Sequence, residues 1–247
     1  AYNLLLSQVN YNGILINYPN KQSNITNTIN INEFHKEPRS NISSAVVAFI
    51  GAGNYASSVL IPAFYKAKAN LSIIASNNGL NPVILARRYR FNKASTNIDS
   101  IFKDEAINTV VITTRHNTHA SLIIKALSEG KNIFVEKPIC LNKKELEEIK
   151  NAYNISQENL QRPIVMVGFN RRFSPLITKT RSEIKKFTGP KSVIYTCNAG
   201  EIDSNHWIHN KKLGGGRLIG EACHFVDLIK FLLDSKIISL EVLPISN

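Results

Sequence analysis

Two glycines, Gly51 and Gly53, stand between an apolar run and a segment with a helical pattern, in the string Gly-Ala-Gly-Asn-Tyr-Ala. Glycines in such a turn let backbone N–H groups approach a pyrophosphate closely, because no side chain is in the way. Ala56 replaces the third glycine of the usual dinucleotide pattern, which tolerates alanine there. The turn therefore predicts a nucleotide site with Asn54 and Tyr55 among its contacts; an ordinary strand-to-helix turn is the alternative.

The residues at the end of the next apolar run bear on the choice of cofactor. About 20 residues after the glycine turn, an NAD-preferring site places Asp or Glu against the ribose hydroxyls. This chain has Ser76, Asn77 and Asn78 instead. Because no carboxylate repels a 2′-phosphate, Ser76 and Asn77 are predicted to accept NADP as well as NAD. The alternative is that they form only a polar turn.

Polar residues also follow two later apolar runs. Thr113, Thr114 and Asn117 come after one run, and Glu136 and Lys137 come after the next. The carboxyl ends of parallel strands share one edge of a sheet, where open α/β folds bind their ligands. We therefore expect these residues to line one cleft together with the glycine turn. For Lys137, the alternative is an exposed strand end.

The elements that must position these residues alternate along the chain. Apolar runs predict strands at 45–50, 71–75, 109–113, 132–135 and 164–167, and helical spacing predicts helices at 54–68, after Pro82, at 117–128 and at 142–155. The uninterrupted apolar character of the first run is typical of a strand buried on both faces. We therefore predict an α/β fold in which residues 45–160 form a Rossmann domain with a doubly wound parallel sheet.

Two other regions flank this predicted domain. Residues 1–44, with a strand-like stretch at 11–18 and an Asn-, Ser- and Thr-rich connection from residue 20, are interpreted as the tail of a preceding domain plus a linker. Residues 161–247 are interpreted as a partial, truncated α+β domain, with helices at 174–186 and 218–233 and strands at 191–198 and 237–243. Because the chain starts at Ala1 and has a single methionine, we expect it to be part of a longer protein.

Composition narrows the functional classes. The 247 residues include 30 Lys and Arg against 18 Asp and Glu, but the basic residues are scattered without aromatic platforms, so we expect no nucleic-acid partner. No apolar run approaches the ~20 residues of a membrane span. Three widely separated cysteines predict reduced thiols in a cytoplasmic protein, and no cluster has the spacing of metal ligands.

Several motifs together resemble a known family. They are the glycine turn, the segment 114–119, Ala-Leu-Ser-Glu-Gly at 126–130 and Glu-Lys-Pro at 136–138. From Val46 to about Ile149 the chain resembles the glucose–fructose oxidoreductase/inositol dehydrogenase/rhizopine catabolism (Gfo/Idh/MocA) family, whose hallmark is the Glu-Lys-Pro motif. The resemblance implies an NAD(P)-dependent oxidoreductase that transfers hydride between nicotinamide and a hydroxyl or keto group of a sugar or sugar nucleotide.

The resemblance extends into the last third of the chain, through Val-Gly-Phe-Asn-Arg-Arg-Phe-Ser-Pro at 167–175 and the glycine-rich segment 214–227. These strings look most like bi-domain oxidoreductases of polysaccharide biosynthesis, in which an alcohol-dehydrogenase-like domain comes first. The resemblance thus implies such an upstream domain. It also implies that the second domain supplies a substrate pocket and the interface of a homo-oligomer.

Roles for individual residues follow from the same resemblance. The resemblance implies that Lys137 hydrogen-bonds the reacting oxygen, that Glu136 positions the cofactor or the lysine, and that His224 assists proton transfer. The alternative for His224 is a structural role, capping or packing against Trp207. Many members carry Asp four residues before that histidine, where this chain has Gly220, and Glu221 is the expected substitute.

Charge and ring chemistry add candidates for substrate binding. Guanidinium groups bind carboxylates and phosphates well, so Arg171, Arg172 and Arg217 are candidates to hold an anionic substrate. The alternative for each of them is a solvated surface charge. Trp207, within the matched region, is a further predicted substrate contact. His119 is expected to fix its turn rather than to perform chemistry.

Two other functional classes stay open at this point. One is a non-catalytic nucleotide-binding module of a larger protein. The other is a methyltransferase, which also uses a glycine turn after its first strand but normally has an acidic residue where Ser76 stands.

Overall fold

The structure is a computed structural model that describes residues 15, 26–31, 45–77, 79–158, 160 and 162–243. Apart from Leu15, the strand-like stretch at 11–18 lies outside these residues, as do most of the predicted linker and Asn78. Within the described residues, seven strands form one sheet: β1 (Thr28–Asn30), β2 (Val46–Ile50), β3 (Asn70–Ala75), β4 (Lys93–Ser95), β5 (Thr109–Ile112), β6 (Asn132–Val135) and β7 (Val165–Val167).

The strands lie in the order β1-β4-β3-β2-β5-β6-β7. The pairs from β4 through β7 are parallel, whereas β1 runs antiparallel to β4. The strand order changes direction at β2, so a crevice opens beside the carboxyl ends of β2 and β5, where doubly wound sheets bind ligands. The predicted α/β Rossmann fold with a parallel sheet is confirmed.

The apolar run of β2 is buried on both faces, as its sequence predicts. Ala48 and Ile50 point into one hydrophobic core. Val47 and Phe49 point into a second core on the opposite face, which also contains Phe91. Because successive side chains of a strand point to opposite faces, such a run is stable only when helices cover both. The ends of the strands are then left for binding a ligand.

Helices connect the strands and cover the sheet. A π-helical turn at Ala56–Leu60 continues as α1 (Ile61–Lys66), followed by α2 (Leu80–Tyr89), α3 (Asp99–Lys103), a 3-10 turn at His116–Thr118, α4 (His119–Ser128) and α5 (Lys143–Gln157). The side chain of Asn142 accepts a hydrogen bond from the backbone N–H of Glu145 at 2.9 Å, which confirms it as the N-cap of α5.

Strand β1 lies within the stretch that the sequence predicted as a linker. The hydroxyls of Thr28 and Ser95 are 2.8 Å apart, and the N–H of Ile31 donates to the carbonyl of Asn92 at 2.7 Å. Ile31 is fully buried in the same core as Phe91. A three-residue edge strand in polar sequence is too short to show a periodic pattern, so the sequence did not predict it. The strand forms because β4, far along the chain, pairs with it.

Beyond β7, the described chain is helical or irregular. The regular elements are a 3-10 turn at Asn170–Phe173, α6 (Pro175–Ile184), a 3-10 turn at Trp207–His209, and a π-helical turn at Leu218–Ala222 that leads into α7 (Cys223–Leu233). α6 and α7 confirm the helices predicted at 174–186 and 218–233. No helix among the described residues is long and apolar enough to cross a membrane.

The strands predicted at 191–198 and 237–243 are wrong. Both segments are irregular and mostly exposed, and neither pairs with a described strand. Their apolar, β-branched residues favour a strand, but a strand forms only where a neighbouring strand satisfies its backbone N–H and C=O groups. The two segments therefore have a composition that suits a strand, but no described strand lies beside them to pair with.

The aromatic packing around Phe49 gives a test of the core. Phe49 is fully buried and meets Phe64 and Phe91 edge to face at ring distances of 5.3 and 5.7 Å. We expect Phe49→Ala to lower the free energy of unfolding by about 3–5 kcal/mol, because it leaves a cavity between these rings. Urea unfolding measures the change, with Leu80→Ala, at a 67% exposed position, as the control. Equal losses in the two variants would contradict this packing.

Candidate functional site

The glycine turn lies directly after β2. Gly51 has a φ of 107°, and a Cβ there would lie 2.7 Å from the carbonyl oxygen of Thr113, so only glycine fits. At Gly53 an added Cβ meets nothing within 4 Å. The backbone of Gly53 therefore faces open space, which is what the approach of a pyrophosphate to this turn requires.

A cleft of about 1290 Å³ runs along the carboxyl edge of the sheet from this turn to Trp207. All the predicted cofactor contacts line it, and they are Gly51, Gly53, Asn54, Tyr55, Ser76, Asn77, Thr113, Thr114, Asn117 and Glu136. Lys137 and His224 line it as well. The fold therefore brings together residues as far apart in the sequence as Gly51 and His224.

Hydrogen bonds at the end of β5 hold the cleft wall in place. The Thr113 hydroxyl donates to the carbonyl of Gly51 at 3.1 Å, which ties the loop after β5 to the glycine turn. The hydroxyls of Thr114 and Thr118 are 2.6 Å apart. These bonds engage the hydroxyl hydrogens within the protein and leave oxygen lone pairs as acceptors, so we assign the threonines a role in shaping the cleft.

Glu136 extends its carboxyl group into a confined part of the cleft. Its Oε1 is buried and has no hydrogen-bond partner among the described residues, and a Cβ on Gly168 would lie 2.6 Å from it. Burial raises the pKa of Glu136 to about 7, although the charge of Lys137 acts in the opposite direction. Near neutral pH the group is therefore divided between a form that accepts hydrogen bonds and one that also donates them.

A contact across the cleft joins the glycine turn to the chain after β7. The side-chain amide of Asn170 donates to the hydroxyl oxygen of Tyr55 at 2.8 Å. Burial, and then the charge of Glu136, raise the pKa of Tyr55. Its O–H is therefore kept as a donor that the cleft can use. Sequence reasoning missed Asn170, and its place in the string 167–175 was the only signal.

Lys137 lies at the other end of the cleft, near α7. Its Nζ donates to the carbonyl of Gly220 at 2.7 Å, which ties the end of β6 to the π-helical turn before α7. His224 lines the same cleft, and its Nδ1 is buried with no partner among the described residues. Burial, followed by the charges of Lys137 and Arg171, lowers the pKa of His224 to about 4. His224 is thus neutral at physiological pH.

His116, which the sequence reasoning did not select, attaches the glycine-rich segment to the cleft. Its Nδ1 lies 2.9 Å from the carbonyl of Gly214, and its ring meets Trp207 edge to face at 4.8 Å. The N–H of neighbouring Asn117 donates to the carbonyl of Leu213 at 3.3 Å. Burial lowers the pKa of His116, so the neutral ring donates its Nδ1–H to the carbonyl.

His119 fixes its turn, as its position predicted. The ring is fully buried, with Nδ1 2.7 Å from the carbonyl of Pro138 and Nε2 3.1 Å from that of Thr114. Burial lowers its pKa. In the part of the chain that the structure describes, no group of three or more His, Cys, Asp or Glu residues is placed to hold a metal ion.

Glu221 and Arg217 do not line the cleft. The guanidinium of Arg217 pairs with the Glu221 carboxylate at 3.0 Å, one helical turn apart, and donates to the carbonyl of Gly200 at 2.7 Å. Each charge is neutralised by the other. This arrangement does not favour Glu221 as a proton acceptor or Arg217 as an anion site.

Arg171 and Arg172 are also outside the cleft lining. Arg172 binds the buried Asp227 of α7 through two hydrogen bonds, which raise the pKa of the arginine further. Arg171 lies over the ring of Phe225, with its guanidinium carbon 5.3 Å from the ring centre. The pair therefore holds α7 against the 3-10 turn at Asn170–Phe173 instead of facing a ligand.

The parallel sheet, the glycine turn and the cleft at the strand ends together define a dinucleotide-binding Rossmann domain. The family model for the Gfo/Idh/MocA oxidoreductases, described as an oxidoreductase family with an NAD-binding Rossmann fold, matches residues 45–169. The chain belongs to this family.

Individual relatives share about half of their length with this chain or less. A scyllo-inositol 2-dehydrogenase (NAD(+)) of Bacillus subtilis is 35% identical over 130 residues, 51% of this chain and 35% of the relative. A levoglucosan dehydrogenase of Pseudarthrobacter phenanthrenivorans is 25% identical over 197 residues, 75% of this chain and 49% of the relative. A solved structure of levoglucosan dehydrogenase with NADH and levoglucosan is 25% identical with a TM-score of 0.64, covering 76% of this chain and 53% of that one.

The raised pKa of Glu136 predicts a change of stability with pH. Its pKa of about 7 in the folded state exceeds the ordinary value of 4.5, so the folded state binds the proton more tightly. This contribution to stability is present below about pH 4.5 and is lost as the pH rises through 7. We therefore expect the free energy of unfolding of the wild type, relative to Glu136→Gln, to fall between pH 4.5 and 8.

Urea unfolding at a series of pH values measures this difference. Glu129→Gln serves as the control because Glu129 is exposed after the end of α4 and does not line the cleft. If the difference in the free energy of unfolding between wild type and Glu136→Gln does not change between pH 4.5 and 8, the burial of the carboxyl group is contradicted.

Proposed function

We propose that this protein is an NAD(P)-dependent oxidoreductase that transfers hydride between nicotinamide and a hydroxyl or keto group of a sugar-like substrate. The observation that carries the proposal is the placement of Lys137 in the same cleft as the glycine turn. An amine at one end and a pyrophosphate-binding turn at the other are what such a reaction needs from the protein. The inositol and levoglucosan dehydrogenases named above support the class of substrate.

The cleft fits a dinucleotide in its chemistry. Gly51 and Gly53 would hold the pyrophosphate, and Ser76 and Asn77 would meet the adenosine ribose. Neither of these two residues is acidic, and the one carboxyl group among the described lining residues, that of Glu136, follows a different strand. We propose that both NAD and NADP are accepted for this reason. The unpartnered Oε1 of Glu136 offers a donor or acceptor to the nicotinamide end.

Proton handling falls to the groups near α7. The bound nicotinamide supplies the site that takes or gives the hydride. The Gly220 carbonyl occupies one hydrogen of the Lys137 Nζ, which fixes the direction of the amine and leaves its other positions for the reacting oxygen. Lys137 would hydrogen-bond the reacting oxygen, and its amine would take the hydroxyl proton. The neutral His224 would assist by hydrogen bonding in the same cleft without holding the proton, because a pKa of about 4 makes it a weak base.

The wider setting is proposed from sequence resemblance alone. We infer a cytoplasmic protein of polysaccharide biosynthesis with an upstream alcohol-dehydrogenase-like domain and a sugar or sugar nucleotide as substrate. Homo-oligomer formation through the last third of the chain belongs to the same proposal.

Cofactor binding is the first testable consequence. We expect NADH and NADPH each to bind saturably, and Gly53→Asp to abolish binding, because the new carboxylate would enter the cleft and repel the pyrophosphate. Fluorescence titration measures both affinities. Gly189→Asp is the matched control, since a Cβ at Gly189 also meets nothing within 4 Å and Gly189 lies outside this cleft. Wild-type chain that binds neither cofactor would refute the proposal.

The role of Lys137 gives a second test. With NAD⁺ or NADP⁺ and a panel that includes scyllo-inositol and levoglucosan, we expect Lys137→Met to lower kcat by about 10²–10⁴-fold, because the proton acceptor is lost. NADH affinity should change little. The control is Lys144→Met, at an exposed position on α5. A wild-type chain that binds NADH yet oxidises nothing, or a Lys137→Met variant with full turnover, would favour the non-catalytic nucleotide-binding module instead.

A further inference from the structure

Arg115, which was not among the candidate binding residues predicted from the sequence, lines the cleft. Arg115 is exposed in the loop after β5 and is the one arginine among the cleft's described lining residues. The arginines that were candidates for an anionic substrate are held elsewhere, Arg172 by Asp227 and Arg217 by Glu221. The cleft therefore has a guanidinium group available that the proposed reaction does not use.

The contacts of Arg115 place it at the lysine end of the cleft. Its guanidinium carbon lies 5.8 Å from the ring centre of Trp207, which in turn meets His116 edge to face at 4.8 Å. A Cβ on Gly220 would lie 3.2 Å from Cε1 of the same histidine, and the carbonyl of Gly220 is the acceptor for Lys137. Arg115 is thus connected to the proposed proton acceptor through successive side-chain and backbone contacts.

The charged groups that line this part of the cleft, as far as the structure describes them, are not paired with Arg115. No ion pair of the Arg115 side chain is formed among the described residues. Glu136 is the one carboxyl group among the described lining residues, and it is partly protonated at neutral pH. The guanidinium of Arg115 lies over the indole ring of Trp207, and a contact of this kind leaves the guanidinium N–H groups able to donate to a ligand.

We propose that Arg115 binds a carboxylate or phosphate group of the substrate, so that the site selects sugar acids or sugar phosphates over neutral polyols. This inference rests on the proposed function in taking a hydroxyl-bearing substrate at Lys137. A planar guanidinium offers two parallel N–H donors to such an anion, and the anion supplies a counter-charge for Arg115, which forms no ion pair among the described residues. Arg115 thereby determines specificity without taking part in hydride or proton transfer.

Calorimetric titration with three matched probes tests this inference. Glucuronate, glucose 6-phosphate and glucose share one ring and differ in charge, and each is titrated with and without saturating NADH. We expect each anion to bind at least tenfold more tightly than glucose. Arg115→Met should remove this preference and leave the affinity for glucose unchanged, and Arg115→Lys should retain part of it because the charge remains without the two-pronged geometry.

Arg88→Met, at an exposed arginine of α2 outside the cleft, is the matched control and should keep the wild-type preference. If the anions bind no better than glucose, or if Arg115→Met weakens all three probes equally, the inference is overturned. NADPH affinity that falls in Arg115→Met while anion binding is retained assigns the guanidinium to the cofactor's 2′-phosphate and also overturns it. Failure of the wild type to bind NADH contradicts the proposed function alone, because the titrations without cofactor still decide the role of Arg115.

Discussion

The close passage of Gly51 beneath the end of β5 is the constraint on which the site depends. With a φ of 107° and only 2.7 Å between the position of a Cβ and the Thr113 carbonyl, the chain can turn here only without a side chain. That turn brings Gly53 to the open edge of the sheet, directly before the π-helical turn at Ala56–Leu60. The packed core of β2 fixes the strand, so the turn is held where a ligand can use it.

A second set of contacts determines what faces the glycine turn. Lys137 and His116 each bind a backbone carbonyl of the segment before α7, those of Gly220 and Gly214. Backbone carbonyls accept strongly and cannot rotate away, so these bonds fix the segment that carries Trp207 and leads to α7. The proposed catalytic lysine is therefore also part of the structure that encloses its own cleft.

The sequence predicted best where the pattern and its cause are local. The run of β2 is continuous and apolar because both faces are covered, and Asn142 caps α5 through its near neighbour Glu145. Strand β1 and the unpaired segment at 191–198 were misjudged because a strand depends on a distant partner that composition does not reveal. Asn170 was missed for the same reason, since Tyr55, its partner, lies 115 positions earlier.

The arginines show how the same side chain takes opposite roles according to its neighbours. The pairing of Arg217 with Glu221 is readable from sequence, because residues four apart on a helix face each other. The pairing of Arg172 with Asp227 is not, because it joins residues 55 positions apart and depends on how α7 packs. An arginine satisfied inside the protein gains little from a ligand, whereas one held by an indole without a carboxylate is left to bind an anion. Residue type and spacing thus identify the arginines that are capable of binding an anion, but only the tertiary contacts decide which of these arginines is free to bind one.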